Sequence, residues 1–243
     1  MASDTFDIIF LIARPAAGKS EIIDYLKRTG EDVRRDRFHV GAFCELDDFP
    51  MLWTWFEEDE ILTRMSKPRL HTDEQGYFTR QYLWHVLIER LALDYAKLVR
   101  DHPSDRPGPT AVIEFSRGRE HGGFREAFRH FPASMLTRGA ILYVDVSWEE
   151  SRRKNRRRFN PERPDSILEH GLSGDKLERL YRESDWDELS AGDPQFITVD
   201  GIAVPYAVFP NEDDVTTPRG PALGDRLQDT LGRLWDLYAG GRL

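Results

Sequence analysis

An apolar segment near the start of the chain places the strongest constraint on the fold. Residues Phe6 to Ile12 read FDIIFLI, and a run that is apolar on both faces predicts a strand buried inside a sheet. A short loop follows, and the segment from Ser20 to Arg28 then places Ile22, Ile23 and Leu26 at helical spacing. A buried strand that leads through a loop into an amphipathic helix is the first half of a crossover unit in a parallel sheet.

The rest of the chain repeats this alternation of short apolar segments and longer helical ones. Further strands are predicted at Val40–Leu46, Thr110–Phe115, Ala140–Val146, Gln195–Val199 and Val204–Phe209. Helices are predicted at Met51–Met65, Tyr77–Val99, Glu149–Arg158, Gly174–Leu189 and Leu223–Tyr238. The order predicts an α/β protein, a three-layer α/β/α sandwich around a mostly parallel sheet of about five strands. No linker divides the chain, so we expect one domain over residues 1–243, with an insertion near 47–100 and a lid near 150–175.

Composition narrows the class of protein. The 243 residues are 40% hydrophobic and 32% charged, which excludes collagen-like and wholly disordered chains. Every apolar run is far shorter than the roughly 20 residues of a bilayer span, so no membrane association is expected. The N-terminus lacks a signal-peptide pattern and Cys44 is the only cysteine, which favours a cytoplasmic protein. A net charge of −9 makes nucleic acid an unlikely partner.

The loop after the first strand carries the motif that points to chemistry. It reads Ala13-Arg14-Pro15-Ala16-Ala17-Gly18-Lys19-Ser20. The phosphate-binding loop Gly-x-x-x-x-Gly-Lys-Ser/Thr matches at its last three positions, and Ala13 stands where that pattern has glycine. A small residue there still permits the turn, although it excludes backbone angles that only glycine adopts. A chance Gly-Lys-Ser in an ordinary turn is the alternative, and the strand–loop–helix context argues against it.

The residue types in this loop suit the binding of a nucleotide phosphate. The backbone N–H groups of residues 13–20 would turn around the phosphates, and the positive end of the following helix would face them. We expect Gly18 to allow close approach of the backbone and Lys19 to contact the β- and γ-phosphates. We expect the Ser20 hydroxyl to ligate Mg²⁺.

These features resemble the P-loop kinases of the nucleoside- and nucleotide-kinase-like group. The resemblance implies a parallel five-stranded core, ATP and Mg²⁺ as ligands, and phosphoryl transfer to a small-molecule acceptor. It also implies a lid that carries arginines. The order of elements agrees over most of the chain, whereas the specific motif is confined to residues 13–20.

Two aspartates follow the second predicted strand. Ligands of open α/β sheets bind at the carboxyl ends of the strands, so Asp47 and Asp48 are candidates for contact with the acceptor. We expect Asp47 to orient the acceptor hydroxyl or accept its proton, and Asp48 to bind the acceptor. The alternative is that either residue caps the helix predicted from Met51 onward.

The third predicted strand ends in Glu114, followed by Ser116 and Arg117. We expect Glu114 to bind Mg²⁺ directly or through water, and the alternative is a buried pair with Arg117 or Arg119. Arg117 resembles the substrate-binding arginine that follows the third strand in several nucleoside-kinase-like enzymes.

Six of the seven residues from 152 to 158 are basic. Arg153 and Arg157 share one helical face, and we expect them to act as catalytic lid residues that clamp phosphates, with Arg156 as the third candidate. A solvated face and a contact with a nucleic-acid backbone are the alternatives. After the last predicted strand, Asn211 is expected either at the adenine base or in a surface turn.

Other side chains are less informative. The aromatic residues Trp53, Trp55 and Phe56 are expected to be helix core rather than a stacking platform for a substrate. The seven histidines contain no His-x-x-x-His pair and no close metal-ligand spacing.

The functional prediction is therefore an ATP-dependent phosphotransferase that acts on the hydroxyl of an unidentified small molecule. Three other functions stay open at this level. They are a P-loop sulfotransferase using 3′-phosphoadenosine sulfate, a nucleotide-binding regulator or NTPase without an acceptor, and an RNA-end kinase, which only the arginine run suggests.

Overall fold

The computed structural model describes residues 4–102, 108–158 and 172–241, and its centre is a six-stranded sheet. The strands are β1 (Ile8–Ala13), β2 (Phe43–Asp47), β3 (Thr110–Phe115), β4 (Gly139–Asp145), β5 (Phe196–Val199) and β6 (Ile202–Pro210). They lie in the order β2-β3-β1-β4-β6-β5, and all neighbours are parallel except β5 and β6. The predicted α/β class with a mostly parallel sheet is confirmed.

The sheet has six strands rather than about five because a tight turn folds β5 back beside β6. Asp200 and Gly201 connect the two strands, and both have a positive φ, of 46° and 83°. Two left-handed residues are what a two-residue hairpin turn requires. The extra strand is therefore an antiparallel addition to one edge of the parallel sheet.

Helices cover both faces of the sheet. They are α1 (Lys19–Arg28), α2 (Glu31–Phe38), α3 (Phe49–Arg64), α4 (Tyr82–Asp101), α5 (Gly123–Arg129), α6 (Ala133–Leu136), α7 (Trp148–Arg158), α8 (Gly174–Tyr181), α9 (Trp186–Ser190) and α10 (Pro221–Gly240). The alternating side chains of the buried strand β1 separate two cores. Ile8, Phe10 and Ile12 join the core with α4, α5, α6 and α9, whereas Ile9 and Leu11 join the core with α1 and α10.

The helix predicted over Gly174–Leu189 is divided in two, so that prediction is wrong. The chain leaves the helical path between α8 and α9, and Asp185 lies in this break. Its carboxylate accepts hydrogen bonds from the backbone N–H groups of Phe124 (2.7 Å) and Arg125 (3.0 Å). These groups have no partner within their own helix, since they belong to the first turn of α5. The predicted helix is therefore interrupted at Asp185, whose side chain caps the N-terminus of α5 instead.

Helices α3 and α4 occupy the region predicted as an insertion, but they are buried to different extents. Helix α4 supplies Ile88, Leu91 and Ala92 to a core, whereas the only buried residue of α3 is Asp59. The Asp59 carboxylate accepts hydrogen bonds from the backbone N–H groups of residues 70–72, and it holds that segment beside α3. Along the described parts of the chain, every helix is too short or too polar to cross a bilayer.

Candidate functional site

A large cleft of about 1750 Å³ opens at the carboxyl ends of β2 and β3, beside the start of α1. We call it the main cleft. This edge of an open α/β sheet is where such folds bind their ligands. The predicted site residues that line it are Pro15, Ala16, Lys19, Ser20, Asp47, Asp48, Glu114, Arg117 and Arg157. The structure does not bring the following predicted residues to the described lining: Ala13, Arg14, Ala17, Gly18, Arg153 and Asn211.

The loop 13–20 is sharply turned at two positions, and neither is Ala13. Ala16 and Gly18 have positive φ angles of 58° and 115°, and α1 begins directly after Gly18. A Cβ atom on Gly18 would lie 2.5 Å from Thr216 Oγ1 and 2.8 Å from Asn211 Nδ2. Ala13 is the last residue of the extended strand β1, so its position does not need glycine. Ala13, the residue that departs from the phosphate-loop pattern, therefore lies where the backbone does not need a positive φ.

The loop is held from behind by side chains of distant elements. Asn211, which is fully buried, donates from Nδ2 to the carbonyl of Ala17 and to Thr216 Oγ1, both at 2.8 Å. Ser151 Oγ donates to the carbonyl of Pro15 at 2.8 Å. Arg14 donates to the carbonyl oxygens of residues 181 and 182 at the end of α8. Asn211 and Arg14 thus fix the loop.

Lys19 places its ammonium group at the carboxyl end of β3. Its side chain is 7% exposed, and Nζ donates to Ser116 Oγ at 2.7 Å and lies 3.7 Å from Glu114 Oε1. A buried ammonium needs such polar partners because burial without them is costly. The sequence placed Ser116 after the same strand as Glu114, but a contact between Ser116 and Lys19 was not predicted.

Carboxylates crowd the same edge of the sheet. Asp47 and Glu114 are register partners on the neighbouring strands β2 and β3. An oxygen of each, together with one of Glu45, lies in a group whose members are all within 4.8 Å of one another. Burial, Glu114 and Asp48 raise the pKa of Asp47 to about 8, although the Phe49 N–H that it accepts at 3.0 Å acts in the opposite direction.

This carboxylate group fits a divalent cation. Magnesium prefers carboxylate and hydroxyl oxygens, and a cation would relieve the repulsion that raises the pKa of Asp47. The Ser20 hydroxyl lines the same cleft. Glu45 was not predicted, and it also forms an ion pair with Lys27 at the surface.

Asp48 and Arg117 form a buried ion pair. Arg117 Nη1 donates to Asp48 Oδ2 at 2.6 Å, and the two side chains are 2% and 10% exposed. Arg117 also donates to the backbone carbonyls of Ser116 and Trp84. Of the two arginines expected as partners of Glu114, Arg117 thus pairs with Asp48, and Arg119 pairs with Glu188. Asp48 occupies the N-cap position of α3 without a side-chain capping bond, whereas Asp47 accepts the first N–H of that helix.

The arginines of the run whose burial the structure describes, Arg152, Arg153, Arg156 and Arg157, are all exposed. Arg153 is half-exposed and pairs with Glu150 (2.7 Å) and Asp214 (3.2 Å) outside the main cleft. Lys154 is buried in an ion pair with Asp214, whereas Arg157 lines the cleft. Of the predicted lid, residues 159–171 lie outside the described part of the chain.

Aromatic side chains line the far wall of the main cleft, which we call the aromatic wall. Its members are Phe49, Trp53, Phe56, Tyr77, Phe78 and Trp84. The prediction that Trp53, Trp55 and Phe56 are helix core is wrong, because all three are only partly buried. Residues 49, 53 and 56 have helical spacing, so one face of α3 presents them together. Basic side chains lie over this wall, with the Arg179 guanidinium 4.0 Å from the centre of the Tyr77 ring.

Comparison with known proteins leaves the family open. No protein-family model matches the chain, and no curated protein sequence matches it. Among solved structures, the chain is similar to the unliganded crystal structure of a sugar kinase from Janibacter sp. HTCC2649. The match covers 97% of this chain and 98% of that one, with 14% identity and a TM-score of 0.39. A likeness at this level assigns neither a family nor an activity.

Proposed function

We propose that the protein is an ATP-dependent phosphotransferase that acts on a hydroxyl group of a small molecule. The observation that carries the proposal is the position of the Lys19 ammonium. It lies where a tightly turned Gly-Lys-Ser loop meets the strand-end residues Ser116 and Glu114. An ammonium beside a helix N-terminus is a binding site for a polyphosphate.

The donor would bind along the loop and the start of α1. Helix α1 begins at Lys19, and the N–H groups at a helix N-terminus favour phosphate oxygens. Lys19 would move from Ser116 to the β- and γ-phosphates. Arg157, which lines the same cleft, would add positive charge over the transferred group. Ser20 and Glu114 would hold magnesium, which when bound neutralises charge on the phosphate oxygens.

The acceptor would lie between Asp47 and the aromatic wall. In the proposed step the acceptor oxygen forms a bond to the γ-phosphorus, the bond to the β,γ-bridging oxygen breaks, and ADP leaves. The proton of the hydroxyl passes to the Asp47 carboxylate. The position of Asp47 supports this role, since it ends β2 beside Glu114 and lines the main cleft opposite the loop.

The shape of the cleft supports an acceptor with a flat or apolar face. The aromatic wall offers ring surfaces, and Lys176 and Arg179 lie beside Tyr77 at its rim. An acceptor that carries both a ring and an anionic group would match these neighbours.

The proposal is tested by acceptor-dependent release of ADP. The protein is incubated with Mg-ATP and panels of sugars, nucleosides, amino alcohols and their phosphates, beside the Lys19→Met variant. We expect at least one acceptor to stimulate ADP release and to gain a phosphate by mass spectrometry, with both signals lost in the variant. Binding of Mg-ATP with no transfer to any panel would instead favour a nucleotide-binding regulator.

A further inference from the structure

A second group of side chains capable of binding a metal lies away from the main cleft, at the junction of α4 and α5. His85 projects from α4, whereas Glu126 and His130 belong to α5 and its C-cap. One ligand atom from each of the three residues lies within 4.8 Å of the other two. The two imidazole rings are stacked, with centres 4.5 Å apart and planes 23° apart.

Each ring nitrogen of His130 lies near a carboxylate oxygen, as is common for zinc-bound histidines. Its Nδ1 lies 3.0 Å from Glu89 Oε1, and its Nε2 lies 3.9 Å from Glu126 Oε1. A carboxylate that holds one ring nitrogen fixes the tautomer and the orientation of the ring. The other nitrogen is then presented as a ligand, and this is the usual second contact of zinc-bound histidines.

His85 supplies an independent observation. Its Nε2 atom is buried and has no hydrogen-bond partner within the described residues. The backbone of His121 hydrogen-bonds the same imidazole. An orphaned buried nitrogen normally needs an explanation, and a bound ion provides one.

We propose that His85, Glu126 and His130 form a binding site for a transition-metal ion of the Zn²⁺ class. Two imidazole nitrogens and one carboxylate oxygen are a donor set that zinc takes, with a fourth position left for water. Tetrahedral zinc would bring these atoms to roughly 3.4 Å from one another. The side chains of Glu126 and His130 are partly exposed, so small rotations can close the remaining gap.

The position of the site indicates what the ion would do. It would join α4 to α5 on the far side of Trp84, whose ring stacks on His121 with centres 3.7 Å apart and lines the main cleft. The reacting groups of the proposed phosphotransferase lie elsewhere, so the ion would brace the cleft wall without entering the chemistry. This inference does not depend on the proposed function.

The test is a titration of untagged, metal-free protein with Zn²⁺, followed by calorimetry and by thermal unfolding. With excess Mg²⁺ present to occupy the carboxylates of the main cleft, we expect one Zn²⁺ ion to bind per chain and to raise the Tm further. Glu126→Gln and His130→Gln should each weaken Zn²⁺ binding at least tenfold. The matched control is His71→Gln, because His71 also has one carboxylate partner, Glu58 at 3.2 Å, and should leave Zn²⁺ binding unchanged.

Co²⁺ added to the unaltered protein gives a second readout that does not depend on the folding of any variant. Tetrahedral ligation by two imidazoles and a carboxylate produces strong visible absorption, and Zn²⁺ should abolish it by displacement. An absence of this absorption would overturn the site. Unchanged Zn²⁺ affinity in both correctly folded variants would overturn it as well.

Discussion

Asp47 and Glu114 are register partners at the carboxyl ends of the parallel strands β2 and β3, and Lys19 lies 3.7 Å from Glu114. The backbone pairing of β2 and β3 therefore places two carboxylates side by side, and the start of α1 brings the Lys19 ammonium next to one of them. Burial and the repulsion from Glu114 and Asp48 raise the pKa of Asp47. The sheet thus builds a site that favours a bound cation.

Asp47→Asn tests the assignment of the proton acceptor. The amide keeps the shape of the side chain but cannot take up the hydroxyl proton, so we expect kcat to fall by about 10²- to 10⁴-fold. The affinity for Mg-ATP, measured by calorimetry, should remain within about twofold, since the loop and Lys19 bind the donor. Loss of Mg-ATP binding together with activity would move Asp47 to the metal site.

Gly18→Ala tests whether the turn of the loop requires glycine. The substitution forces a side chain into a φ of 115° and places Cβ 2.5 Å from Thr216 Oγ1. We expect the free energy of unfolding to fall by about 2 kcal/mol or more, and Mg-ATP binding to weaken. Denaturant unfolding measures the first effect and calorimetry measures the second.

Gly232→Ala is the matched control for this substitution. Gly232 lies within α10 and has no heavy atom within 4 Å of an added Cβ, so alanine should stabilise the protein by about 0.5–1 kcal/mol. Equal effects of the two substitutions on the free energy of unfolding would mean that position 18 does not require glycine.

Asp48→Asn tests whether the buried pair with Arg117 is structural. Removal of the negative charge leaves the Arg117 guanidinium buried without its counter-ion, and this typically costs about 3–5 kcal/mol. Urea unfolding measures the loss. The comparison variant is Asp94→Asn, because Asp94 pairs with Arg90 at the surface and should cost less than about 1 kcal/mol. A rise in acceptor KM with unchanged stability would assign Asp48 to the substrate alone.

His121 gives the protein a predictable response to acid. Burial and the nearby Arg117 lower the pKa of His121 well below 6.5, so the folded state keeps the ring neutral while the unfolded state takes up a proton. The unfolded state then binds more protons below about pH 6.5, and stability falls as the pH is lowered. We expect His121 to account for a loss of about 1 kcal/mol between pH 7 and pH 5.5.

The measurement is denaturant unfolding at several pH values for the parent and for His121→Asn. Asparagine can still accept the hydrogen bond that Gly118 N–H donates to His121 Nδ1. The variant should show a shallower decline toward low pH. Identical declines in the two proteins would contradict the account of His121.

Local pattern predicted the fold and part of the site. The strand predicted at Thr110–Phe115 has the same bounds in the structure, because a short run that is apolar on both faces is typical of a strand buried inside a sheet. Lys19 and Glu114 were also chosen as candidates from local sequence, since the loop motif and the strand-end carboxylate are both visible there. Their distance from each other depends on which strands are neighbours, and the sequence does not state that order.

The remaining features depend on tertiary contacts. Asn211 lies 194 positions from Ala17, and only the folded chain shows that its amide supports the loop. The pairing of Asp48 with Arg117 depends on the position of β2 beside β3. His85 and His130 are 45 positions apart, so their meeting between α4 and α5 has no counterpart in local spacing.

In the proposed function, the loop 13–20 binds the polyphosphate of a nucleotide through Lys19. The most direct measurement is thermal unfolding of the parent and of Lys19→Met with Mg-ATP, Mg-GTP and 3′-phosphoadenosine 5′-phosphate. At about 100 times the dissociation constant, Mg-ATP should stabilise the parent by roughly 2.7 kcal/mol, and the variant should lose this stabilisation while it remains folded. Equal stabilisation of both proteins by Mg-ATP, or stabilisation by the 3′-phosphorylated ligand alone, would contradict the account.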